Sequence, residues 1–395
     1  MNLAQLYSLS SGQRLDKVHT FEKFFPLDCD NFIVIQPWSK ASKNYSYFSE
    51  VLNILNPFLQ KQGVKILQLG QKNEPPLPNC VHLQGLTSWG QTQYIISKSK
   101  LVLSTDSVSA HLAGHYDIPR VILISNNFKE CVAPYYGDES KEIILEPKCR
   151  KEGILPSFSL DEGPVKQIDQ ILPEQIALSV LKLLDIKVKY PFQSLYFGHN
   201  FNNKVIESIP NQIIDINQFG IQSLVMRMDF EHNEQNLSHQ LLRNHCTIVT
   251  QKTINLDLLG TFRKNVGHVV YELTEDNNPD FCKQLTKLGI KYSLISYLAP
   301  EQIQKLKENY YEYGVISRKS ITKPEEMSEL VGKNLGNLYY KTAKITLSAG
   351  KIYPCFAAYK QDKPISDLNL KFSPIINIPD FWKELEYYYL VERTA

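Results

Sequence analysis

The sequence has almost no net charge. Its 43 lysines and arginines nearly balance its 41 aspartates and glutamates, which leaves a formal charge of +2. Proteins that attract nucleic acid or anionic lipid over long range carry a clear basic excess, and this chain lacks one. We therefore expect no nucleic-acid partner, and any anionic ligand must be met by local groups.

Paired cysteines and long apolar runs are also missing. The seven cysteines are scattered without a C-x-x-C pair, and an odd count does not suit a disulfide framework. No window approaches eighteen uninterrupted apolar residues, and the N-terminus lacks the basic and apolar regions of a secretory signal. These features predict a cytoplasmic protein with reduced thiols and no transmembrane segment.

The length of 395 residues predicts two domains, because one domain usually contains roughly 100 to 200 residues. In the first half, short apolar runs rich in β-branched residues alternate with single helical patterns, beginning with NFIVIQ at residues 31–36. Such alternation predicts a parallel sheet covered by helices, a Rossmann-like layer sandwich, whose ligands lie beyond the carboxyl ends of the strands. We assign this domain to residues 1–187.

The second half repeats the alternation of strands and helices and predicts a second Rossmann-like α/β domain at residues 190–395. Its end differs, because two strand-like runs flank Ser348, Ala349 and Gly350, a pattern that predicts a β-hairpin. The best boundary between the domains is the stretch IKVKYPFQ at residues 186–193. The second half shares no motif with the first, so we expect no internal duplication.

The sharpest local feature is LVLSTDSVSAHLAG at residues 101–114, in which a buried strand runs directly into a helix. Unpaired N–H groups at a helix start attract anions, so a diphosphate could lie over Ser107, Val108 and Ser109. His111 would lie one turn into this helix and face the same edge of the sheet. Alternatively, the polar residues only cap the helix and the histidine only packs.

Two weaker clusters follow other strands of the predicted sheet. They are Ser39, Lys40, Ser42 and Lys43 after the first strand, and Gly85, Thr87 and Ser88 after the third. Lysines can neutralise phosphate oxygens, a glycine permits a close approach, and a threonine or serine can cap the next helix. Each cluster alone is typical of an ordinary surface loop, but all three converge on one edge of the sheet.

The order of these motifs resembles the C-terminal, donor-binding half of the ADP-heptose:lipopolysaccharide heptosyltransferases, glycosyltransferase family nine, over about residues 31–186. In that family a lysine matching Lys43 and a D-[S/T]-G-x-x-H-[L/I]-A motif matching residues 106–113 contact the phosphates and sugar of the donor. The family's L-x-G-x-T-[S/T] segment matches residues 83–88. The resemblance implies that Lys43 and Asp106 contact a nucleotide-diphosphate sugar, with an ADP-linked donor as the first expectation.

Two departures from the family pattern bear on these expectations. Val108 stands where the family has glycine, and Ser-Asn-Asn at residues 125–127 replaces its G-P-T loop, so we expect a reshaped phosphate loop. Family members carry their acceptor-binding domain before the donor domain, whereas about 30 residues precede the first donor-like strand here. The resemblance thus implies a GT-B-like arrangement with the donor-type domain first and residues 190–395 as the possible acceptor domain.

Sugar transfer needs a general base for the acceptor hydroxyl. The second half offers Glu207 in NNKVIESIPN and Asp229 in VMRMDFEHNE as alternatives, each near the end of a predicted strand. Both carboxylates are equally typical of salt bridges or caps. Arg227 shares a strand face with Asp229, which favours a structural ion pair as the other interpretation.

The leading interpretation is a heptosyltransferase-like glycosyltransferase that moves a sugar from a nucleotide-diphosphate donor to a glycan or lipid-linked, lipopolysaccharide-type acceptor. The resemblance, together with the lack of a D-x-D motif in the loops after the strands, predicts no metal and no cofactor. A non-catalytic protein that keeps the nucleotide or sugar pocket is the main alternative. An epimerase-like enzyme on the same architecture is a third, because a fold does not determine a reaction.

Overall fold

The computed structural model describes residues 1–15, 19–163, 165–219, 223–319, 321, 335–366 and 371–394. The chain divides into two compact units, Met1–Ser194 and Leu195–Ala395. The described helices are α1 Leu3–Ser11, α2 Phe48–Lys61, α3 Trp89–Lys98, α4 Val108–His115, α5 Lys129–Val132, α6 Lys148–Lys151, α7 Pro173–Leu183, α8 Glu234–Leu241, α9 Leu256–Thr261, α10 Asp280–Leu288, α11 Pro300–Tyr310, α12 Phe356–Lys360 and α13 Pro379–Lys383.

The described strands belong to three sheets. They are β1 Phe32–Gln36, β2 Lys65–Gln68, β3 Val81–His82, β4 Val102–Thr105, β5 Arg120–Leu123, β6 Glu142–Leu145, β7 Phe192–Phe197, β8 Val205–Ser208, β9 Leu224–Arg227, β10 Cys246–Thr250, β11 Val266–Glu272, β12 Tyr292–Ser296, β13 Ile316–Arg318, β14 Leu338–Thr342, β15 Lys344–Ser348, β16 Lys351–Tyr353, β17 Ser373–Pro374 and β18 Tyr388–Arg393.

The first unit contains a parallel sheet with the strand order β3-β2-β1-β4-β5-β6. The chain moves outward from β1 to β3 and then returns to the middle to begin β4 beside β1. This order is that of the Rossmann fold, in which ligands bind in the crevice where the strand order reverses. The Rossmann-like architecture predicted from the sequence is therefore confirmed for this unit, and its switch point lies between β1 and β4.

Both faces of the first sheet are covered, which explains the nearly continuous apolar sequence of β1. Ile33 and Ile35 pack in one cluster with apolar residues of α2 and α7, while Phe32 and Val34 pack in another with residues of α3 and α4. α2 runs unbroken through Pro57, although a proline inside a helix usually kinks or interrupts it. Its apolar side chains are buried on both sides of the proline, and this packing favours a continuous helix.

The second unit contains a mixed sheet with the strand order β13-β12-β11-β10-β9-β8-β15-β16. From β8 to β13 the strands are parallel and follow one another in sequence order. Because parallel crossovers are right-handed, the helices α8 to α11 that connect β9 to β13 lie on the same face. The core on that face joins Met226, Ile248, Val269 and Leu294 of the strands to apolar residues of the helices.

The predicted hairpin at Ser348, Ala349 and Gly350 joins the antiparallel strands β15 and β16. Ala349 and Gly350 have φ angles of +46° and +76°. Two positive φ angles at the centre of a two-residue turn match the twist of the flanking strands. A small third sheet, with the order β17-β14-β18-β7, packs with α12 and α13 around an aromatic cluster that includes Tyr340, Phe381 and Tyr388.

Candidate functional site

Lys43 and Asp106 meet at the switch point of the first sheet. Lys43 ends a short 3₁₀ helix, Ala41–Lys43, in the loop after β1, and Asp106 follows β4 directly. The Lys43 Nζ lies 2.5 Å from Asp106 Oδ2 and 3.2 Å from the carbonyl oxygen of the same residue. Two residues predicted from separate motifs are thus joined by an ion pair.

The Asp106 carboxylate is almost fully buried, with 1% of its side chain exposed against 22% for Lys43. Its other oxygen, Oδ1, accepts a hydrogen bond of 3.0 Å from the hydroxyl of Ser125, which lies just after β5. A buried carboxylate held by one cation and one hydroxyl has little freedom to move. Asp106 therefore fixes the position of the Lys43 ammonium group.

The start of α4 lies beside this pair and has no side-chain cap. Ser107 occupies the N-cap position, but its side chain makes no capping hydrogen bond. Its hydroxyl instead points to Gln36 Oε1 at 3.5 Å, and the Ser109 hydroxyl donates to the same oxygen. The Ser107 side chain therefore does not cap α4, contrary to the alternative interpretation of the sequence. The first N–H groups of the helix are left available to an anion.

Val108 is accommodated without backbone strain. It is the first helical residue of α4, and none of residues 106–109 has a positive φ angle. A Cβ is well tolerated in the right-handed helical region. Val108 is 45% exposed at the first position of the helix.

His111 lies close enough to the ion pair to respond to both of its charges. The residue is exposed on the surface of α4, but the neighbouring protein desolvates part of the ring and thereby lowers the pKa of His111. The Asp106 carboxylate raises this pKa, and the Lys43 ammonium group lowers it. The net decrease favours a neutral imidazole at neutral pH. A neutral imidazole offers one hydrogen-bond donor and one acceptor to a ligand.

Ser39 and Lys40 shape the loop that carries Lys43. The Ser39 N–H donates to Asn44 Oδ1 at 2.7 Å, and the Lys40 carbonyl accepts from the Lys43 N–H at 2.8 Å. The side chains of Ser39 and Lys40 are exposed, whereas Ser42 is buried in the loop. The structure therefore brings Lys43 to the site and leaves Lys40 at the surface.

Gly85, Thr87 and Ser88 do not join this group. They follow β3, which is three strand spacings from β4, roughly 14 Å across the sheet. Gly85 has a φ of +69°, and a Cβ there would lie 2.7 Å from the Cα of Lys72, so the close approach is to a neighbouring loop. The hydrogen bonds of Thr87 and Ser88 run to Thr92 and Gln91 in α3.

Sequence reasoning missed Gln36 and Ser125. Both lie at the carboxyl end of a strand next to the switch point, Gln36 at the end of β1 and Ser125 after β5. The signal that could have identified them is the strand order, because polar residues at these positions share one edge with Asp106. The local sequence pattern does not indicate which strands are neighbours in the sheet.

Glu207 and Asp229 lie in the second unit and share Arg227. The guanidinium group donates to both oxygens of Asp229, at 2.9 and 2.8 Å, and to Glu207 Oε2 at 2.6 Å. Glu207 is fully buried and also contacts Lys344 Nζ at 2.9 Å. The geometry favours the structural ion pair that the sequence analysis left open beside the catalytic one.

The electrostatics of Glu207 do not suit a general base. Burial by itself raises the pKa of this carboxyl, but Arg227 and Lys344 outweigh burial and lower the pKa to about 2. A base works best when its pKa is near the working pH. Glu207 therefore stays ionised and accepts a proton only in strong acid.

The remaining chemistry of the described residues is simple. All seven cysteines are free thiols. Nowhere in the described ranges do three or more His, Cys, Asp or Glu side chains gather as a metal ion would require. None of the described helices is both long and apolar enough to cross a membrane.

No family model and no curated protein matches the sequence. Among solved structures, the chain is similar to a family 9 glycosyl transferase from Veillonella parvula, with 18% identity, a TM-score of 0.32 and coverage of 47% of this chain and 51% of that one. It is also similar to the ADP-heptose lipopolysaccharide heptosyltransferase II of E. coli, with 16% identity, a TM-score of 0.31 and coverage of 39% and 46%.

A further similarity is to a dodecameric iron-containing glycosyltransferase of enterotoxigenic E. coli, with 11% identity, a TM-score of 0.34 and coverage of 43% and 50%. The chain spans about half the length of these three structures. The first of these structures is a family 9 glycosyl transferase and the second a heptosyltransferase, the proteins that the three motifs resemble. The fold itself follows from the strand order described above.

Proposed function

We propose that the protein is a glycosyltransferase whose first unit binds a nucleotide-diphosphate sugar at the switch point between β1 and β4. The observation that carries this proposal is the Lys43–Asp106 ion pair beside the uncapped start of α4. A fixed ammonium group and free helix N–H groups together suit the two negative charges of a diphosphate.

The donor capacity of this group supports the proposal. A lysine ammonium group has three N–H donors, and Asp106 accepts two of those of Lys43. One donor is left for a phosphate oxygen. The free N–H groups of Val108 and Ser109 supply further donors, and the dipole of α4 favours an anion at the same point.

The identity of the sugar and of the acceptor is the finer part of the proposal. The motifs shared with family nine favour an ADP-linked, heptose-type donor and a glycan or lipopolysaccharide-type acceptor. His111, with its lowered pKa, is suited to hydrogen-bond a hydroxyl group of the donor sugar as a neutral ring. The leaving diphosphate is stabilised by Lys43 and by the helix start, which is the charge stabilisation that transfer from a nucleotide sugar requires.

A second candidate is a non-catalytic protein that binds the same nucleotide sugar. It is favoured by the engagement of both predicted bases, since the oxygens of Glu207 and Asp229 are bound to Arg227, Lys344 and Thr346. This candidate keeps the donor site and has no turnover. Only a measurement of activity distinguishes the glycosyltransferase from the binding protein, because both would bind the same nucleotide sugar.

The test is a titration of the full chain with ADP, UDP and GDP and with the corresponding nucleotide sugars. Calorimetry and thermal melting measure the binding. One nucleotide at a hundred times its Kd should stabilise the protein by about 2.7 kcal/mol, which raises the Tm by roughly 5–10 °C for a unit of this size. Lys43→Ala should abolish most of this shift, whereas Lys61→Ala at the exposed end of α2 should keep it. A chain that responds to none of these compounds would contradict the proposal.

Turnover then separates enzyme from binding protein. Release of the nucleotide from the bound donor, measured with and without glycan acceptors, should be detectable for an enzyme and should fall in His111→Ala. A protein that binds the donor tightly but releases no nucleotide under any of these conditions is the binding protein.

A further inference from the structure

The second unit contains a cavity of about 370 Å³ on the face of its sheet opposite α8 to α11. Alternate residues of β8 to β12 line it, among them Glu207, Arg227, Val249, Glu272 and Ile295. Side chains two residues apart point to the same face of a strand, which explains the pattern. The volume lies within the range of roughly 300–1,000 Å³ that is usual for small-molecule sites.

The wall of the cavity carries a network of buried charges. Beside the Arg227 contacts with Glu207 and Asp229, Lys344 Nζ lies 2.6 Å from Glu384 Oε1 and 2.9 Å from Glu207 Oε2. Buried ion pairs seldom stabilise a fold more than apolar side chains of the same volume would. A dense network of this kind on a cavity wall marks the cavity as a candidate ligand site.

The charges of the lining do not balance. The lining carboxylates are Glu207, Asp229, Glu272, Asp380, Glu384 and Glu386, and the lining cations are Arg227, Lys319, Lys344 and Lys383. Asp380 and Glu386 have their own cationic partners, Lys360 at 2.6 Å and Lys319 at 3.4 Å. The excess is negative, so the cavity suits a cationic ligand better than an anionic one.

Glu272 is the lining carboxylate that has no cationic partner among the described residues. It ends β11, lines the cavity, and receives one hydrogen bond of 2.9 Å from Gln251 Nε2. Within the described ranges no lysine, arginine or histidine nitrogen lies within 4 Å of its carboxyl group, in contrast to the other five lining carboxylates. A cationic partner for this carboxyl group is therefore missing from the described residues.

Tyr297 shows that an ammonium group fits in this cavity. Its ring lines the wall next to β12, and the Lys383 Nζ lies 5.1 Å from the ring centroid. That distance is within the range of a cation–π contact. The Lys383 ammonium group already occupies this ring, so a ligand cation would depend on Glu272 and not on Tyr297.

We propose that this cavity binds a small amine whose ammonium group pairs with the carboxylate of Glu272. The inference does not depend on the donor site, because every lining residue belongs to the second unit. An anion would meet Arg227 and Lys344 already engaged by carboxylates. A neutral ligand would leave the Glu272 carboxyl without a charged partner.

Binding should release protons. Burial raises the pKa of Glu272 and Asp229 raises it further, while Gln251, Lys383 and Arg227 lower it. The groups that face it are thus one carboxylate, one amide, two cations and the phenol of Tyr297. Because an ammonium group stabilises the ionised carboxylate, amine binding at a pH where Glu272 is partly protonated releases its proton.

The experiment is calorimetry on the full chain with putrescine and glucosamine, matched by the uncharged 1,4-butanediol and glucose. Titrations in two buffers of different ionisation enthalpy measure the proton release. We expect the amines to bind at least tenfold more tightly than their matched alcohols. Glu272→Gln, which keeps the shape and the Gln251 contact, should weaken amine binding about tenfold to a hundredfold and remove the proton release.

Two control variants separate this proposal from the donor site. Glu308→Gln on the exposed face of α11 and Lys43→Ala in the first unit should both leave amine binding unchanged. Equal affinity for amine and alcohol, no binding of either amine, or unchanged binding in Glu272→Gln would each overturn the proposal. If that variant fails to fold, the comparison of each amine with its matched alcohol in the unmodified chain still decides the proposal.

Discussion

Substitution of Lys43 by methionine tests the candidate donor site and the fold around it together. The change keeps much of the side-chain length and removes the ammonium group. It leaves the Asp106 carboxylate, whose side chain is 1% exposed, with the Ser125 hydroxyl as its described partner. We therefore expect a loss of stability and a loss of donor affinity from a single substitution.

The magnitude of the stability loss follows from burial. Removing one partner of a fully buried ion pair costs about 3–5 kcal/mol. Because 22% of the Lys43 side chain is exposed, water can reach part of the vacated space, and we reduce the expectation to about 1–3 kcal/mol. For a unit of this size that corresponds to a fall in Tm of roughly 2–12 °C.

The double variant Lys43→Met with Asp106→Asn separates stability from binding. It removes both charges, so its unfolding free energy should return to within about 1 kcal/mol of that of the unmodified protein. Its affinity for the nucleotide should stay low, by about tenfold to a hundredfold, because the contact between ammonium and phosphate is still missing.

The assay is a double-mutant cycle, with stability measured by thermal melting and affinity by calorimetry with the nucleotide that binds best. The reasoning is refuted if the two substitutions are additive in stability, since the ion pair would then contribute nothing. It is also refuted if Lys43→Met binds the nucleotide as tightly as the unmodified protein.

Three further predictions concern single positions. Gly85→Ala should lower stability by about 1–3 kcal/mol in chemical denaturation, because φ is +69° and the added Cβ would meet Lys72; a neutral effect would contradict this. The pKa of Glu207 is lowered from 4.5 to about 2, so its stabilising contribution is present above pH 4.5 and is lost as the pH falls towards 2; acid unfolding of Glu207→Gln should be flatter across that window. His111→Phe, at an exposed position, should leave the Tm within about 2 °C while donor affinity falls; an equal loss of both would indicate a structural role.

Local sequence patterns were sufficient to predict the main strands and the strand-to-helix junctions of the first unit. The apolar run at residues 31–36 became β1, and the abrupt change from apolar strand to polar residues after 101–104 became the junction between β4 and α4. Such features depend on neighbours in sequence, and these determine strand propensity and helix starts. The convergence of Lys43 and His111 on Asp106 followed from one further rule, that parallel strands end at the same edge.

The roles of residues that depend on strand order could not be predicted from the sequence. Gly85 to Ser88 follow a parallel strand and so share the edge of the sheet with Lys43, but β3 is the outermost strand, two strand spacings from β1, and this distance separates them from it. Gln36 and Ser125 were missed for the same reason. Which strands are neighbours is decided by packing and by hydrogen bonds between distant segments, and neither leaves a periodic signal in the chain.

The sequence by itself determined the α/β class, the first unit's strand-to-helix motifs and the candidate phosphate-binding residues, because each depends on contacts within a few residues along the chain. Only the tertiary structure decided that Glu207 is bound by Lys344, 137 positions further on, and that Glu272 faces a cavity without a cationic partner among the described residues. Those facts depend on the order of strands in the second sheet. Burial and charge then act on groups that the fold, and not the local sequence, has brought together.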